Sequence, residues 1–316
     1  MTAQAQNQSS SSANIRPMRI LLAYDGSQHA RAAVDLLLDL HLPPETEVLV
    51  VAVMPDQYIT GHELLGAALD WAAEKIRASG LQVKNQLIAG NPAATINECA
   101  YEFKTDFTLI GARGLRATLG ILLGGVAQQV IEYSCCPALV VRAPYHSFKR
   151  VLVVTDGSIY SQKAIEYLAG AGAAAERGRF PLPEKAEIQV LHVLPPKIPP
   201  DLAWRAYTIG PEVLYPAPAQ FIDIPAVEAE EEIAGQLLLD EAVAAFAKSG
   251  IQADKILRRG DAATEIIEYV KQNDIDLVVS GSRGLSQVSG WLLGSVSRKI
   301  VHYASSSVLI VKQPKQ

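Results

Sequence analysis

Cysteine is scarce in this chain: only three of its 316 residues are cysteines. Cys99, Cys135 and Cys136 form no CxxC pair, and adjacent cysteines rarely bridge each other because the geometry is strained. We therefore predict free, buried or half-buried thiols in a reducing compartment, with a redox role for Cys135 and Cys136 as the weaker alternative. The six histidines show no HxxxH spacing, which argues against a dedicated zinc site.

Long apolar runs and clustered positive charge are also missing. No segment approaches the roughly 20 apolar residues that a membrane-spanning helix needs. The net charge of −5 and the lack of a dense basic run argue against a nucleic-acid surface. The polar, low-complexity stretch 1–17 has no apolar segment or cleavage pattern, so we predict a disordered tail rather than a signal peptide. These features predict a soluble, cytoplasmic protein.

What the chain does contain is an internal repeat. The stretch "RILLAYDGS" at 19–27 recurs as "RVLVVTDGS" at 150–158, and "FTLIGARGL" at 107–115 recurs as "LVVSGSRGL" at 277–285. Self-similarity of this kind indicates a duplicated structural unit. A chain of 316 residues also has the usual length for two domains.

The repeat sets the predicted domain boundaries. We predict a first domain at 18–144 and a second at 149–316. The second domain carries an insertion at about 195–230 that is rich in proline, aromatic and acidic residues. Its prolines argue against a long helix or a central strand. The insertion is therefore either an irregular loop packed on its own domain or a lid or partner-docking segment.

Each copy alternates short apolar runs with stretches of helical spacing. Unbroken runs of valine, isoleucine and leucine suit strands that are covered on both faces. The runs are Ile20–Tyr24, Val48–Val53, Lys84–Ile88, Phe107–Gly111, Ala138–Arg142, Val151–Thr155, Ile188–Val193, Lys255–Arg258, Leu277–Ser280 and Val308–Lys312. Ser27, Asn91 and Asp261 are predicted N-caps of the helices that follow them. The pattern predicts two α/β domains, each with a doubly wound five-stranded parallel sheet.

In an open sheet of this kind, ligands bind where the strands end, at the point where the strand order reverses. In the second copy Gly281 and Gly284 come directly after the fourth strand, and they have no Cβ atoms to keep a ligand away. Nine residues separate Gly284 from Gly294, after which Ser295 opens a helix. The free N–H groups and dipole of a helix start favour phosphate, and serine hydroxyls add donors. This spacing therefore predicts a phosphate cradle.

Two further residue pairs stand near the cradle. Asp25 and Asp156 follow the first strand of each copy, where we expect a ligand contact in preference to a turn before Gly-Ser. Arg113 and Arg283 lie between the paired glycines. We expect these arginines to pair with an acidic side chain at the surface rather than to contact phosphate.

These motifs resemble those of the universal stress protein family, in its UspA-like, ATP-binding branch. The fingerprint of that branch, G-x2-G-x9-G-[ST], is met in full by Gly281, Gly284, Gly294 and Ser295. The resemblance covers nearly everything after residue 17 except the insertion, so the chain looks like a tandem of two such domains. It implies a Rossmann-like fold of the adenine nucleotide alpha hydrolase-like type. It also implies ATP, AMP or ADP as the ligand, with Mg²⁺ or Mn²⁺ held through the phosphates.

The resemblance further implies which residues bind the nucleotide. In the second domain Asp156 and the backbone of Val154 and Val193 would hold adenine. Gly281 and Gly284 would line the ribose and phosphate. The remaining phosphate contacts would come from Gly294, Ser295, Val296 and Ser297. The matching positions of the first domain are Ala23, Asp25, Val53, Gly111, Gly114, Gly124, Gly125 and Val126.

The first domain departs from the fingerprint at one position. Gly125 stands where the family has serine or threonine, and Ala127 stands where the second domain has Ser297. Losing one hydrogen bond to a charged group costs about tenfold or more in affinity. We therefore predict a strong site in the second domain and a weak, altered or empty site in the first. The alternative is that backbone groups alone keep the first site intact.

Three functions fit these motifs. The first is a nucleotide-binding regulatory protein of the stress response, whose occupancy changes how it meets a protein partner. The second is a slow ATPase or an adenylyl-transfer enzyme. Against it, the chain lacks a Walker GxxxxGK[ST] loop and a GxGxxG loop, and no general base stands out, so no catalytic residue is assigned. The third is an interaction protein without a ligand, which the intact second fingerprint argues against.

The last strands of the two copies, within 138–142 and 308–312, are apolar and need a covering neighbour. The family pairs such strands across a dimer, and here we expect the two domains to pair within one chain. Whether two chains then form a homodimer stays open. We expect no membrane or nucleic-acid partner.

Overall fold

The structure is a computed structural model that describes most of the chain. The described residues are 16–55, 62–115, 122–170, 180–183, 185–197, 224–285 and 293–312. Nearly all of the predicted tail and most of the predicted insertion lie outside these ranges. Among the described residues, no helix has the length and apolar character needed to cross a membrane.

Strands and helices alternate along both halves of the described chain. The first half contains β1 (Arg19–Ala23), α1 (Gln28–Asp39), β2 (Glu47–Met54), α2 (His62–Arg77), β3 (Gln82–Ala89), α3 (Pro92–Glu102), β4 (Phe107–Gly111), α4 (Gly125–Tyr133) and β5 (Ala138–Val141). The second half contains β6 (Arg150–Val154), α5 (Ile159–Ala169), β7 (Glu187–Leu194), α6 (Ile224–Ala247), β8 (Ala253–Arg259), α7 (Ala262–Gln272), β9 (Leu277–Gly281), α8 (Ser295–Tyr303) and β10 (Ser307–Val311). Every predicted strand is present, and its ends lie within about two residues of the prediction.

The ten strands form one sheet in the order β3-β2-β1-β4-β5-β10-β9-β6-β7-β8. Neighbours within each half are parallel, so the predicted pair of doubly wound five-stranded sheets is confirmed. The two halves meet through β5 and β10, which are antiparallel, with Leu309 opposite Leu139. The predicted pairing of the last strands within one chain is therefore also confirmed.

The apolar strands separate two cores, one on each face of the sheet. Along β1, Ile20 and Leu22 belong to one core cluster, and Leu21 and Ala23 belong to the other. Successive side chains of a strand point to opposite faces, so a strand buried on both faces needs an unbroken apolar run. Fully burying one such side chain stabilises the fold by about 1.5–3 kcal/mol. The valine, isoleucine and leucine runs of the sequence are thus explained.

Three helix starts carry the caps that the sequence predicts. The side chains of Ser27, Asn91 and Asp261 accept hydrogen bonds from backbone N–H groups in the first turns of α1, α3 and α7. Ser158 caps α5 in the same way. Helices α4 and α8 differ, because their N-cap residues are Gly124 and Gly294, which have no side chain to accept such a bond.

Helix α6 corrects one expectation about the insertion. It begins at Ile224, so the last residues of the predicted insertion are helical although the segment is rich in proline. Pro225 is the second residue of the helix. The first turn tolerates proline because its N–H groups have no intrahelical partner.

The segment between the domains is packed and hydrogen-bonded. The Tyr145 hydroxyl donates to the Asp39 carboxylate at 2.5 Å, and Phe148 is buried. At the start of the second domain, the backbone N–H groups of Lys149 and Arg150 donate to Asp276 Oδ2 at 2.9 and 2.8 Å. These contacts hold the connection against both domains.

The three cysteines are free thiols, as the sequence predicts. Cys99 and Cys136 are buried, and Cys135 is half-buried. A hydrogen bond with the Cys135 side chain, together with burial, raises the pKa of Cys136 well above its usual value. A protonated thiol is a poor nucleophile, so the environment of Cys136 favours a structural role over the redox alternative.

Candidate functional site

The strand order fixes where a ligand site can form in each half. The chain moves from β1 outward to β2 and β3 and then returns to the other side of β1 as β4. This reversal opens a crevice between β1 and β4 at their carboxyl ends. The equivalent crevice in the second half lies between β6 and β9.

The first crevice contains a cavity of about 720 Å³. Its volume lies within the range of small-molecule sites. All eight residues predicted for the first site line it, namely Ala23, Asp25, Val53, Gly111, Gly114, Gly124, Gly125 and Val126. Most other lining side chains are apolar and include Leu65 and Ala68 from α2 and Ile96 from α3. Residues far apart in sequence thus converge on one apolar cavity with a glycine-rich wall.

Asp25 and Asp156 tie the glycine-rich loop to the end of the first strand of each domain. Asp25 Oδ1 accepts from the N–H of Ser27 at 3.0 Å, and its Oδ2 accepts from the N–H of Leu115 at 3.2 Å. Asp156 repeats both bonds with Ser158 at 3.0 Å and Leu285 at 3.1 Å. The turn-forming role, given above as the alternative, is therefore present in both domains. A ligand contact stays a prediction.

The paired glycines have intramolecular reasons to be glycine. A Cβ on Gly281 would stand 2.5 Å from the carbonyl carbon of Tyr160 in α5, and one on Gly284 would stand 2.5 Å from Asp156 Oδ2. A Cβ on Gly111 would stand 2.8 Å from the N of Ala30 in α1, and one on Gly114 would stand 2.6 Å from Asp25 Oδ2. The sequence pattern attributes these glycines to ligand approach. The structure adds a second reason, because the neighbouring helix and aspartate leave no room for a Cβ at these positions.

The two helices that follow the cradle loops start in the same way. The N–H of Gly124 donates to Ala112 O at 2.8 Å, and the N–H of Gly294 donates to Ser282 O at 2.8 Å. These bonds fold each loop back onto the end of β4 or β9. The N–H groups in the first turn of a helix have no intrahelical partner, and the N-cap residues Gly124 and Gly294 have no side chain that could accept from them. Both helix starts therefore present N–H donors.

The two hydroxyls that distinguish the second domain have different surroundings. Ser295 is exposed at the first position of α8. Ser297 is only 4% exposed, and its hydroxyl donates to Gly281 O at 2.8 Å. Its Oγ also lies 3.3 Å from Ser280 Oγ. Of the two, only the Ser295 hydroxyl is exposed at the cradle, whereas the Ser297 hydroxyl fastens α8 to the end of β9.

The arginines of the two loops contact the helices that follow the first strands. Arg113 Nε donates to His29 Nε2 at 3.0 Å, and the guanidinium of Arg283 lies 5.8 Å from the centre of the Tyr160 ring. His29 and Tyr160 occupy equivalent positions, two residues after the capping serines. Burial and the charge of Arg113 lower the pKa of His29, so this side chain is neutral at pH 7. Each arginine therefore packs on the first turn of α1 or α5.

The predicted residues of the second site also converge. Val154 and Val193 lie near the ends of β6 and β7 and pack on one core cluster. A Cβ on Gly294 would stand 3.5 Å from the N of Gly284, so the loop and the helix start adjoin. Val296 packs on the same cluster as Val154 and Val193. Asp156, Gly281 and Ser297 join this group through the contacts described above, and Ser295 is the first residue of α8 beside Val296.

One residue beside the second site has no signal in the motif. A Cβ on Gly157 would stand 2.5 Å from Cδ1 of Leu238, which projects from α6. The equivalent residue in the first domain, Ala68, lies 3.6 Å from the same point on Gly26. Only an alignment of α2 with α6 reveals this difference.

Within the described ranges, no group of three or more His, Cys, Asp or Glu side chains could hold a metal ion.

The fold and the repeated loop define a class: tandem, doubly wound α/β proteins with a glycine-rich cradle at the carboxyl ends of the strands. A model of the universal stress protein family matches residues 17–142 and 147–312. The chain belongs to this family.

Relatives of both single-domain and tandem length are similar to the chain. Universal stress protein YxiE of Bacillus subtilis is 33% identical over 165 residues, which cover 52% of this chain and 99% of that protein. Universal stress protein Rv2005c of Mycobacterium tuberculosis is 27% identical over 263 residues, 80% of this chain and 77% of its own length.

Solved structures show the same fold across nearly the whole chain. A universal stress protein from Archaeoglobus fulgidus is 21% identical, with a TM-score of 0.59, and the match covers 94% of this chain and 97% of that one. The functionally unknown protein PA1789 of Pseudomonas aeruginosa is 15% identical, with a TM-score of 0.62, covering 96% and 95%.

Proposed function

We propose that this protein binds an adenine nucleotide at the carboxyl ends of its strands, with its stronger site in the second domain. Occupancy of that site would change how the protein meets a cytoplasmic partner during stress. The observation that carries the proposal is the start of α8, where the exposed Ser295 follows an N-cap glycine that has no side chain to cap the helix. The family fingerprint at Gly281, Gly284, Gly294 and Ser295 supports the same assignment.

The chemistry of the α8 start suits phosphate. The first N–H groups of the helix and its dipole attract an anion. Ser295 adds a hydroxyl donor, and its exposure leaves it accessible to a ligand. The backbone N–H groups of Val296 and Ser297 continue the first turn. In this assignment Ser297 contributes only its backbone, since its hydroxyl donates to Gly281 O.

The rest of the nucleotide would lie across the ends of β6 and β7. By the family resemblance, the backbone of Val154 and Val193 contacts the adenine ring, with Asp156 beside it. Asp156 also keeps the loop of Gly284 in place. Magnesium or manganese would bind through the nucleotide phosphates, which supply the oxygen ligands that these ions prefer.

The first domain would bind the same ligand more weakly. Its cavity of about 720 Å³ and the start of α4, where the N-cap is Gly124, are suited to a nucleotide. Gly125 lacks the hydroxyl of Ser295, and Ala127 is buried in the place of Ser297. A hydrogen bond to a charged group contributes about 1.5–3 kcal/mol. Without this donor, the first site should bind the nucleotide about tenfold or more weakly than the second site.

Calorimetric titration of the full chain with ATP tests the proposal. Ser295→Ala should lower the affinity of the stronger site about ten- to a hundredfold, which is the loss of one hydrogen bond to phosphate. Gly125→Ser should strengthen the weaker site, because a Cβ on Gly125 meets no atom within 4 Å. Ser305→Ala is the matched control, since Ser305 is also exposed but follows α8.

Absence of ATP binding by the unmodified chain would refute the proposal. Two sites of equal affinity, or a Ser295→Ala chain that binds as tightly as the unmodified one, would refute the unequal assignment. Release of inorganic phosphate, measured in the same samples, separates a binding protein from a slow ATPase.

A further inference from the structure

Helices α4 and α8 run in opposite directions on one face of the sheet. Ile131 of α4 and Val301 of α8 belong to the same core cluster. Each helix precedes the last strand of its domain, and those strands, β5 and β10, are antiparallel. The start of one helix, where the phosphate cradle lies, is therefore on the side of the sheet where the other helix ends.

Antiparallel pairing also sets the residue after each last strand beside the end of the other domain's helix. Arg142 follows β5 and is only 9% exposed. Its Nη2 donates to Val301 O at 2.7 Å, in the last turn of α8, and its Nε donates to Ser306 O at 3.0 Å. Its Nη1 donates to Leu122 O at 2.6 Å, two residues before Gly124. One guanidinium thus joins the first domain's cradle loop to the end of the second domain's phosphate helix.

Lys312 repeats this arrangement from the second domain. It follows β10, and its Nζ donates to Glu132 O at 2.7 Å and to Ser134 O at 3.3 Å. These carbonyls lie at the end of α4, the helix that starts at the first cradle. A second cross-domain contact joins the helices themselves, because Arg298 Nη2 lies 3.8 Å from Glu132 Oε1.

A cation at a helix end acts on the same helix that holds the anion at its start. Positive charge at the C-terminus complements the helix dipole and satisfies carbonyls that have no intrahelical partner. Burial and the nearby Arg113 lower the pKa of Arg142 only to about 10, so its guanidinium stays charged at neutral pH. Both phosphate helices are therefore held at their ends by the opposite domain.

We infer that Arg142 and Lys312 are positioning residues that act across the domain boundary. Lys312 holds α4 for the first site, and Arg142 holds α8 for the second site while fixing the loop of the first. Each domain therefore sets part of the nucleotide affinity of the other. This inference rests on the proposed function, because it concerns the affinity of those sites.

The second site gives the direct test, by titration of the full chain with ATP. Arg142→Met should lower the affinity of the stronger site about two- to fivefold, which is the range of a charge at a helix end. Arg142→Lys, which restores the charge, should recover part of that loss. Lys149→Met is the control, because it removes one positive charge and Lys149 is exposed at the domain boundary.

Lys312→Met gives a second, milder test that does not depend on the folding of the Arg142 variants. Amide hydrogen exchange should become faster in α4 and stay unchanged in α8. Unchanged exchange in α4, or an ATP affinity that Arg142→Met and Lys149→Met alter equally, would overturn the inference. If the unmodified chain binds no ATP, the proposed function itself fails. Normal ATP binding that none of these variants shifts rejects the cross-domain effect alone.

Discussion

At the scale of single residues, glycines that look alike in the fingerprint serve different purposes. Gly281 has to be glycine because a Cβ there would meet the backbone of α5. Gly284 has to be glycine because a Cβ there would meet Asp156 Oδ2. Gly125 has open space around its Cβ position, so nothing in its surroundings requires glycine. The sequence motif alone therefore does not distinguish glycines that packing requires from glycines that would contact a ligand. The atomic contacts of each position do.

Alanine substitutions distinguish these roles. Gly281→Ala should lower the free energy of unfolding by about 1–3 kcal/mol, because its Cβ would overlap the backbone of α5. Gly125→Ala should leave stability unchanged or raise it by up to about 1 kcal/mol, since glycine is a poor helix residue. Urea unfolding followed by circular dichroism measures both. Equal effects of the two substitutions would contradict this explanation.

Residue type and position could be predicted from the sequence better than the direction of a side chain. The repeat placed Ser295 and Ser297 together at a helix start, as found. Positions two apart on a helix point to different sides, and here one faces solvent while the other faces Gly281. The contacts of Arg113 with His29 and of Arg283 with Tyr160 have no signal in the sequence, because they join a loop to the first turn of a distant helix.

At the scale of elements, the apolar runs predicted the strands correctly, because a strand buried on both faces needs an unbroken run of apolar residues. Serine, asparagine and aspartate gave the helix starts because capping is a local interaction. The sequence did not predict the start of α6, because the prolines of this segment indicate irregular structure. Proline nevertheless fits the first turn of a helix. The motif predicted one wall of the cavity, but its apolar lining was not predictable, since the cavity is built from three strands, three helices and the loops between them.

The attachment of α8 to β9 gives a prediction at this scale. Ser297→Ala should lower the free energy of unfolding by about 0.5–1.5 kcal/mol, because Gly281 O and Ser280 lose a buried partner. The smaller side chain fits, since Ala127 occupies the equivalent buried position. ATP affinity should fall less than in Ser295→Ala. A larger loss of affinity for Ser297→Ala would show that its hydroxyl reaches the ligand.

At the scale of the whole molecule, the β5–β10 pair turns two domains into one continuous sheet. Val140 and Val308 are fully buried partners in this pair, as are Leu139 and Leu309. The contacts of the connecting segment add to this junction. Domains joined in this way should lose their structure together, in contrast to domains connected by a flexible linker.

Scanning calorimetry tests this expectation. The unmodified chain should unfold in a single transition. Leu309→Ala, which opens a cavity in the junction core, should lower the free energy of unfolding by about 2–5 kcal/mol and shift the whole transition. Leu65→Ala, away from the junction and on the half-buried face of α2, is the control for a lost apolar side chain. Two separate transitions in the unmodified chain would contradict a shared sheet core.

The antiparallel junction also decides which way the two crevices face. Strands β1 and β4 run against β6 and β9, so their carboxyl ends lie at opposite edges of the sheet. The two crevices therefore open in opposite directions. Under the proposed function, a partner that responds to nucleotide in both crevices would have to contact two opposite sides of the molecule or bind as two copies. A partner bound at one crevice would respond to the other only through the protein between them.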